Sequence, residues 1–311
     1  MTKPQLPNFL LAGAVKCGTT SLYQGLSQHP DIFTSEPKEP DFFFAQFAEI
    51  PTKGIGDACC PVVQGRADYV RLFEKAASRK AIGEGSHTSL FYHEKTIPLI
   101  TDFLGDPKII IILRNPVERA FAAYTALSRE GREFLSFEEA LREEEHRIRD
   151  HWRTVWFYRK AGLFYAQVKA FRERYSAVKI CFYEDLRKDP GSLFRDLFRF
   201  LDVDESFAPL IASSAEDAAS SPKTGLMKGL HKRRPGPLQR LVRVIGRTLL
   251  GDDRWVGLRD RVRARTLVPA EMALETRDDL TRFFRDDILK LQELLGRDLS
   301  PWLTGRASSS E

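Results

Sequence analysis

Residues 8–21 read NFLLAGAVKCGTTS, an apolar run that gives way to a lysine, a glycine and two threonines. The run at 8–14 is too short for a buried helix. It reads as a central parallel strand, apolar throughout because both faces of such a strand are covered. Helical character over 19–28 follows and stops at His29 and Pro30. A helix start presents unpaired N–H groups and a partial positive charge, which seats an anion. Gly18 lets the backbone approach closely, Lys16 adds a mobile charge, and the Thr19 and Thr20 hydroxyls add donors. Lys16, Cys17, Gly18, Thr19, Thr20 and Ser21 are therefore the predicted phosphate loop, and an ordinary strand-to-helix turn with a surface lysine is the plainer alternative.

Working outward, the KIIIIL run at 108–113 is β-branched and wholly apolar, the clearest strand in the chain. Further strands are predicted at 80–84 and 178–183. Asn115 reads as an N-cap with Pro116 at the first helical position, opening a helix to about residue 129. Ser136-x-x-Glu139 is a capping box for a charged surface helix over 136–150. Helices are also expected over 157–175, 190–201 and 276–295. Strands alternating with helices predict an α/β fold, a P-loop-like central parallel sheet with helices on both faces, in a single domain over 1–311. In such sheets ligands bind where strand C-ends meet helix N-termini.

The composition agrees. A chain of 311 residues with 42% hydrophobic and 29% charged residues can bury a full core and is neither disordered nor fibrous. No apolar run approaches the ~18–20 residues of a membrane span, and residues 8–15 read as a strand rather than a signal segment. Cys17, Cys59, Cys60 and Cys181 show no zinc-type spacing, so a soluble protein of the reducing cytoplasm is expected, with no metal. The net charge of +5 is uneven: residues 223–265 hold thirteen Lys or Arg against three acids. Residues 215–237 read as a loop within a basic insertion over about 215–265. The basic amphipathic stretch 238–250 faces an acidic glycan, a membrane surface or the core. No nucleic-acid motif accompanies the charge.

The loop is not a Walker A sequence, because Lys16 precedes the glycine instead of standing directly before Ser or Thr. Arg114 also ends the 108–113 strand where a triphosphatase often carries a magnesium-binding Asp. Both departures count against a P-loop kinase. They favour a nucleotide that needs no metal and offers Arg114 a second phosphate.

Three stretches then acquire a common meaning: GAVKCGTTSL at 13–22, HPDIFTSEPKEPDFF at 29–43 and IIIILRNPVERAFAAY at 109–124. Together they resemble the sulfotransferases that use 3′-phosphoadenosine 5′-phosphosulfate (PAPS), in the bacterial and heparan-sulfate-type branch. Gly83–Ser86, Tyr183–Leu186 and residues 295–303 extend the resemblance along nearly the whole chain.

The resemblance implies PAPS as co-substrate and a hydroxyl acceptor on a glycan, glycolipid or metabolite. Lys16 would stabilise the departing phosphate, with Thr19 and Thr20 on the 5′-phosphate and Arg114 on the 3′-phosphate. The family serine eight residues beyond that arginine is Ala122 here. In the Lys38-Glu39-Pro40-Asp41-Phe42-Phe43 segment, Glu39 would be the general base, and Asp41 replaces a frequent histidine. His87 is the alternative base, with Ser86 beside it. At least two of Phe42, Phe43 and Phe44 are expected in the core, a wall for a sugar ring being their other use. Arg119 is expected as a helix-surface ion-pair residue, and Tyr183–Leu186 as an anchor for its strand end. Lys223, Lys228, Lys232, Arg233 and Arg234 are candidates for a loop closing over the nucleotide. No cysteine follows Cys181, so the disulfide that often staples that loop is absent. A non-catalytic relative holding nucleotide or glycan is the rival reading.

Overall fold

The computed structural model describes residues 5–60, 62–76, 79–210 and 271–304, with two short pieces at 221–222 and 267–268. Lys223, Lys228, Lys232, Arg233, Arg234 and the 238–250 stretch lie outside the described residues.

Five strands form one parallel sheet: β1 (Phe9–Gly13), β2 (Ile32–Thr34), β3 (Ala81–Glu84), β4 (Lys108–Leu113) and β5 (Val178–Phe182), in the spatial order β2-β3-β1-β4-β5. β1 and Ile109–Leu113 of β4 are almost wholly buried. Side chains of both parities are covered, so layers lie on both faces, as the unbroken apolar runs required. Each isoleucine so buried contributes on the order of 1.5–3 kcal/mol.

The register sets the site. Leu10 pairs with Glu84, Gly13 with Ile111, and Leu113 with Phe182, so the C-ends of β1, β3, β4 and β5 reach one edge together. Residues just beyond those ends, at 14–18, 85–88, 114–115 and 183, are thereby gathered.

The helical elements follow in chain order: α1 (Thr19–Ser27), α2 (Phe42–Ala45), α3 (Arg66–Arg71), α4 (Thr88–Phe91), α5 (His93–Leu104), α6 (Pro116–Arg129), α7 (Phe137–Arg149), α8 (Tyr165–Arg174), α9 (Tyr183–Lys188), α10 (Pro190–Phe200) and α11 (Leu274–Leu295). The caps are those read from the sequence. Asn115 Oδ1 accepts from the Val117 amide at 2.9 Å, and Ser136 and Glu139 close their capping box in both directions.

Two expectations are corrected. The helix predicted over 157–175 begins only at Tyr165, after short 3-10 turns at Thr154–Trp156 and Lys160–Gly162. Side chains from elsewhere claim that stretch of backbone. Glu144 accepts from the amides of Arg159 and Lys160 at 2.8 and 2.7 Å, and Asp287 from those of Phe164 and Tyr165. Arg119 is also no surface residue: it is fully buried and donates to the carbonyls of Phe157 and Tyr158. Burial pulls its guanidinium below the usual arginine range. The three phenylalanines all enter the core, with Phe42 stacked on Tyr69 at 4.3 Å between centroids.

Candidate active site

Between β1 and α1 the chain turns through left-handed backbone at Lys16 (φ 60°) and Gly18 (φ 97°). At Gly18 glycine is needed twice over, since a Cβ there would also lie 2.9 Å from the Tyr183 ring. A lysine in this region costs roughly 1–2 kcal/mol, a strain the surrounding packing must hold. Cys17 turns into the core, wholly buried, and its thiol is pushed up to about 12 mainly by desolvation. Its amide donates back to Ala14, so Cys17 helps shape the turn without facing the cavity. Lys16, Gly18, Thr19, Thr20 and Ser21 do line that cavity.

Arg114 enters the same cavity from the end of β4, its guanidinium 4.3 Å from the Tyr183 ring centroid. Tyr183 opens α9, which is braced from behind. Glu184 accepts from the Asn115 amide at 3.2 Å and from Trp302 Nε1 at 3.0 Å, and Arg297 holds Asp185 bidentately at 2.7 and 2.8 Å. The 183–186 segment is thus the anchor expected of it, and the C-terminal Arg297 and Trp302 are its fastenings. Ala122, in the family's serine position, also lines the cavity.

In the same cavity Glu39 and His87 meet, with Nδ1 3.1 Å from Oε2. The other carboxylate oxygen accepts from Lys38 Nζ at 2.7 Å. Burial alone would raise the Glu39 carboxyl, but the facing His87, then Lys38, outweigh it and hold the group well below the usual carboxylate range. For His87 burial pulls downward, yet the Glu39 carboxylate overcomes it and, helped by Asp41, raises the imidazole. The two competing candidates for the base are therefore one coupled unit.

Asp41, buried and left-handed at φ 49°, accepts from Thr88 Oγ1 at 2.7 Å and from Arg153 at 3.1 Å. At the position where the resemblance leads us to expect a histidine, this chain anchors an arginine. Arg153 and Arg132 also line the cavity, both turned on the fully buried Asp57. Glu84, fully buried, is raised to about 8, first by burial and then by Asp41. Sequence reading passed over Arg132, Arg153 and Asp57, which stand in unremarkable surroundings and meet only through the fold. Among the described residues no cluster of three or more His, Cys, Asp or Glu is placed to hold a metal ion, and no helix is long and apolar enough to cross a membrane.

The family profile described as "Sulfotransferase family" matches residues 7–208, which contain this cavity. The chain belongs to the sulfotransferase family. A crystal structure of a sulfotransferase from Alicyclobacillus acidocaldarius superposes with a TM-score of 0.73 at 33% identity, covering 96% of this chain and 99% of that one. The membrane-associated sulfotransferase kil1 of Dictyostelium discoideum is 33% identical over 38% of the chain and 22% of its own length. Carbohydrate sulfotransferase 15 of Rattus norvegicus is 29% identical over 44% of the chain and 30% of its own length. The chain thus matches under a third of each of these two curated relatives. The P-loop fold expected from the sequence is that of this family, and membership displaces the kinase alternative.

Proposed function

We propose that this sulfotransferase moves a sulfuryl group from PAPS to an acceptor hydroxyl, without a metal. The observation that carries the reading is the convergence on one cavity of Lys16, Thr19, Thr20 and Ser21, of Arg114, and of the Glu39–His87 pair. The α1 N-terminus and the two threonine hydroxyls suit a 5′-phosphate. The Arg114 fork, set over the Tyr183 ring, suits a 3′-phosphate. Lys16 meets the negative charge that builds on the oxygen bridging sulfur and phosphorus as that bond breaks. The acceptor oxygen attacks sulfur from the far side, and its proton passes to the Glu39–His87 pair. Glu39 and the Nε2 edge of His87 are the two points of entry.

A carbohydrate hydroxyl is the first acceptor to test, since carbohydrate sulfotransferase 15 is named for such a substrate. Glycolipid and small-metabolite hydroxyls follow, and a membrane contact through the basic stretch belongs to the glycolipid case. Lys223 and Arg233 remain the proposed cover of the nucleotide, and the whole chain is proposed as one domain acting in the cytoplasm.

Calorimetric titration with adenosine 3′,5′-bisphosphate, without magnesium, tests the reading. Wild type is expected to bind, and Arg114→Ala to bind at least ~10-fold more weakly, since a hydrogen bond to a charged group is worth about 1.5–3 kcal/mol. Absence of wild-type binding, or an equal preference for ATP with magnesium, would overturn it. Binding without turnover on any acceptor would favour the non-catalytic alternative.

A further inference from the structure

We propose that Lys38 is a nucleotide-responsive latch on the base: its ammonium, which ties Glu39 to Thr19 and Thr20, transfers to the anionic oxygens of a bound nucleotide and so releases the Glu39–His87 pair to take a proton. The inference rests on the sulfotransferase reading above and adds a positioning residue to it.

Lys38 Nζ lies 2.7 Å from Glu39 Oε1, 3.2 Å from Thr19 Oγ1 and 3.3 Å from Thr20 Oγ1. An ammonium has three protons, and these contacts use all three. Two of the three partners belong to the phosphate loop and one to the base, so a single cation joins the halves of the site. The threonine hydroxyls accept from Lys38, which leaves their own protons to donate to a phosphate. An oxygen bonded to either hydroxyl would then lie within about 6 Å of the ammonium. The donor's phosphosulfate as a whole, like the 5′-phosphate of adenosine 3′,5′-bisphosphate, carries two negative charges against one on Glu39, and so attracts the ammonium about twice as strongly at equal distance. The four-carbon stem, with the side chain 21% exposed, permits the short move.

The charges facing the Glu39–His87 pair are few. Lys38 stands at Oε1, and Asp41, itself held by Arg153, stands behind the imidazole. Glu84 and Tyr23 are deeper neighbours that feel the Glu39 charge. Lys38 weakens both members of the pair as proton acceptors, lowering Glu39 and opposing the rise of His87. Transfer of its charge to the nucleotide therefore strengthens the base when the sulfuryl group is in place.

The test separates this coupling from the plain field of a bound anion. His87 is titrated by NMR through its ring carbon and nitrogen signals, assigned with His87→Asn, with and without adenosine 3′,5′-bisphosphate. In wild type the nucleotide is expected to raise the His87 midpoint by ~1 pH unit, a tenfold gain in proton affinity. In Lys38→Met the midpoint should already be raised without nucleotide, and the nucleotide should add less than half the wild-type shift. Lys38→Arg should retain a clear nucleotide-linked shift. If Lys38→Met does not give a native circular dichroism spectrum, Lys38→Gln carries the same comparison. Equal shifts in wild type and the lysine-deleted protein would overturn the latch. Failure of wild type to bind the nucleotide would instead sink the sulfotransferase reading beneath it.

Discussion

The two walls of the cavity are built differently. The wall proposed for the phosphates, the phosphate wall, comes from one continuous strand, loop and helix start, joined by Arg114 just past the adjoining strand β4. Its chemistry is mostly backbone geometry, with Gly18 pressed against Tyr183 to fix the turn. The wall proposed to hold the base, the base wall, is assembled from Lys38, Glu39, Asp41, His87 and Arg153, side chains that meet through ion pairs across as many as 112 residues of sequence. A phosphate wall can be exact while the base wall is retuned, because the first depends on the fold's own hydrogen bonding and the second on a few exchangeable charges.

The largest effect should come from breaking the base wall. Glu39→Gln keeps the shape and removes the charge; a positioned general base is worth about 10²–10⁴ in rate, and kcat should fall within that range. His87→Asn should cost a similar factor. Because the two form one unit, Glu39→Gln/His87→Asn should fall little below the worse single variant. Nucleotide affinity, set by the other wall, should change by less than a few-fold. Steady-state kinetics paired with calorimetry would show this, and a multiplicative double-variant loss would mean the two residues act independently.

The same contrast explains what could be read without coordinates. The strand, loop and helix start at 9–27 were legible because an apolar run, a glycine and hydroxyls at fixed spacing carry their own local geometry. The caps at Asn115 and Ser136 were legible for the same local reason. Arg119 was misjudged because helical position alone cannot tell that two carbonyls from 157–158 will receive its guanidinium. The late start of α8 has the same origin, since Glu144 and Asp287 satisfy backbone amides that a helix would otherwise use. Glu39 and His87 were singled out separately as rivals. That they touch is a property of the neighbouring β2 and β3 strand ends, invisible in spacing. Lys38 stood inside a quoted motif without a role until its three partners were in view.

A smaller effect should appear in the pH dependence of the base wall. His87 is raised in the folded protein, so its contribution to stability is fully present below the unfolded value of about 6.5 and is lost as pH rises through the folded value. Glu39 is lowered, so its contribution is present above its unfolded value of about 4.3 and is lost only as pH falls through the folded value. The pair therefore stabilises most between roughly pH 4.5 and 6.5. Activity should run the other way, since the imidazolium cannot accept a proton: log kcat/KM should climb above about pH 6.5 until His87 is neutral. Thermal melts and rate profiles of wild type against His87→Asn would reveal opposed limbs in wild type and neither in the variant. A flat wild-type rate profile from pH 6 to 9 would remove the pair from the proton transfer.

The smallest expected effect lies on the phosphate wall and asks whether that wall is complete. Ala122 occupies the position where the resemblance places a serine on the 3′-phosphate, and it lines the cavity that Arg114 also lines. A hydrogen bond to a charged group is worth about 1.5–3 kcal/mol, and a hydroxyl added to an open cavity should realise only the low end, so Ala122→Ser should tighten adenosine 3′,5′-bisphosphate binding by roughly 10-fold. The gain should require the 3′-phosphate, and adenosine 5′-phosphate should bind both proteins alike. Since the hydroxyl would sit far from the Glu39–His87 pair, kcat should not rise with it. It falls instead if release of the product nucleotide limits turnover, because tighter product binding slows that step. A serine that tightens both nucleotides equally would mean that position 122 does not face the 3′-phosphate, and Arg114 would then be better assigned to the adenosine's sugar edge.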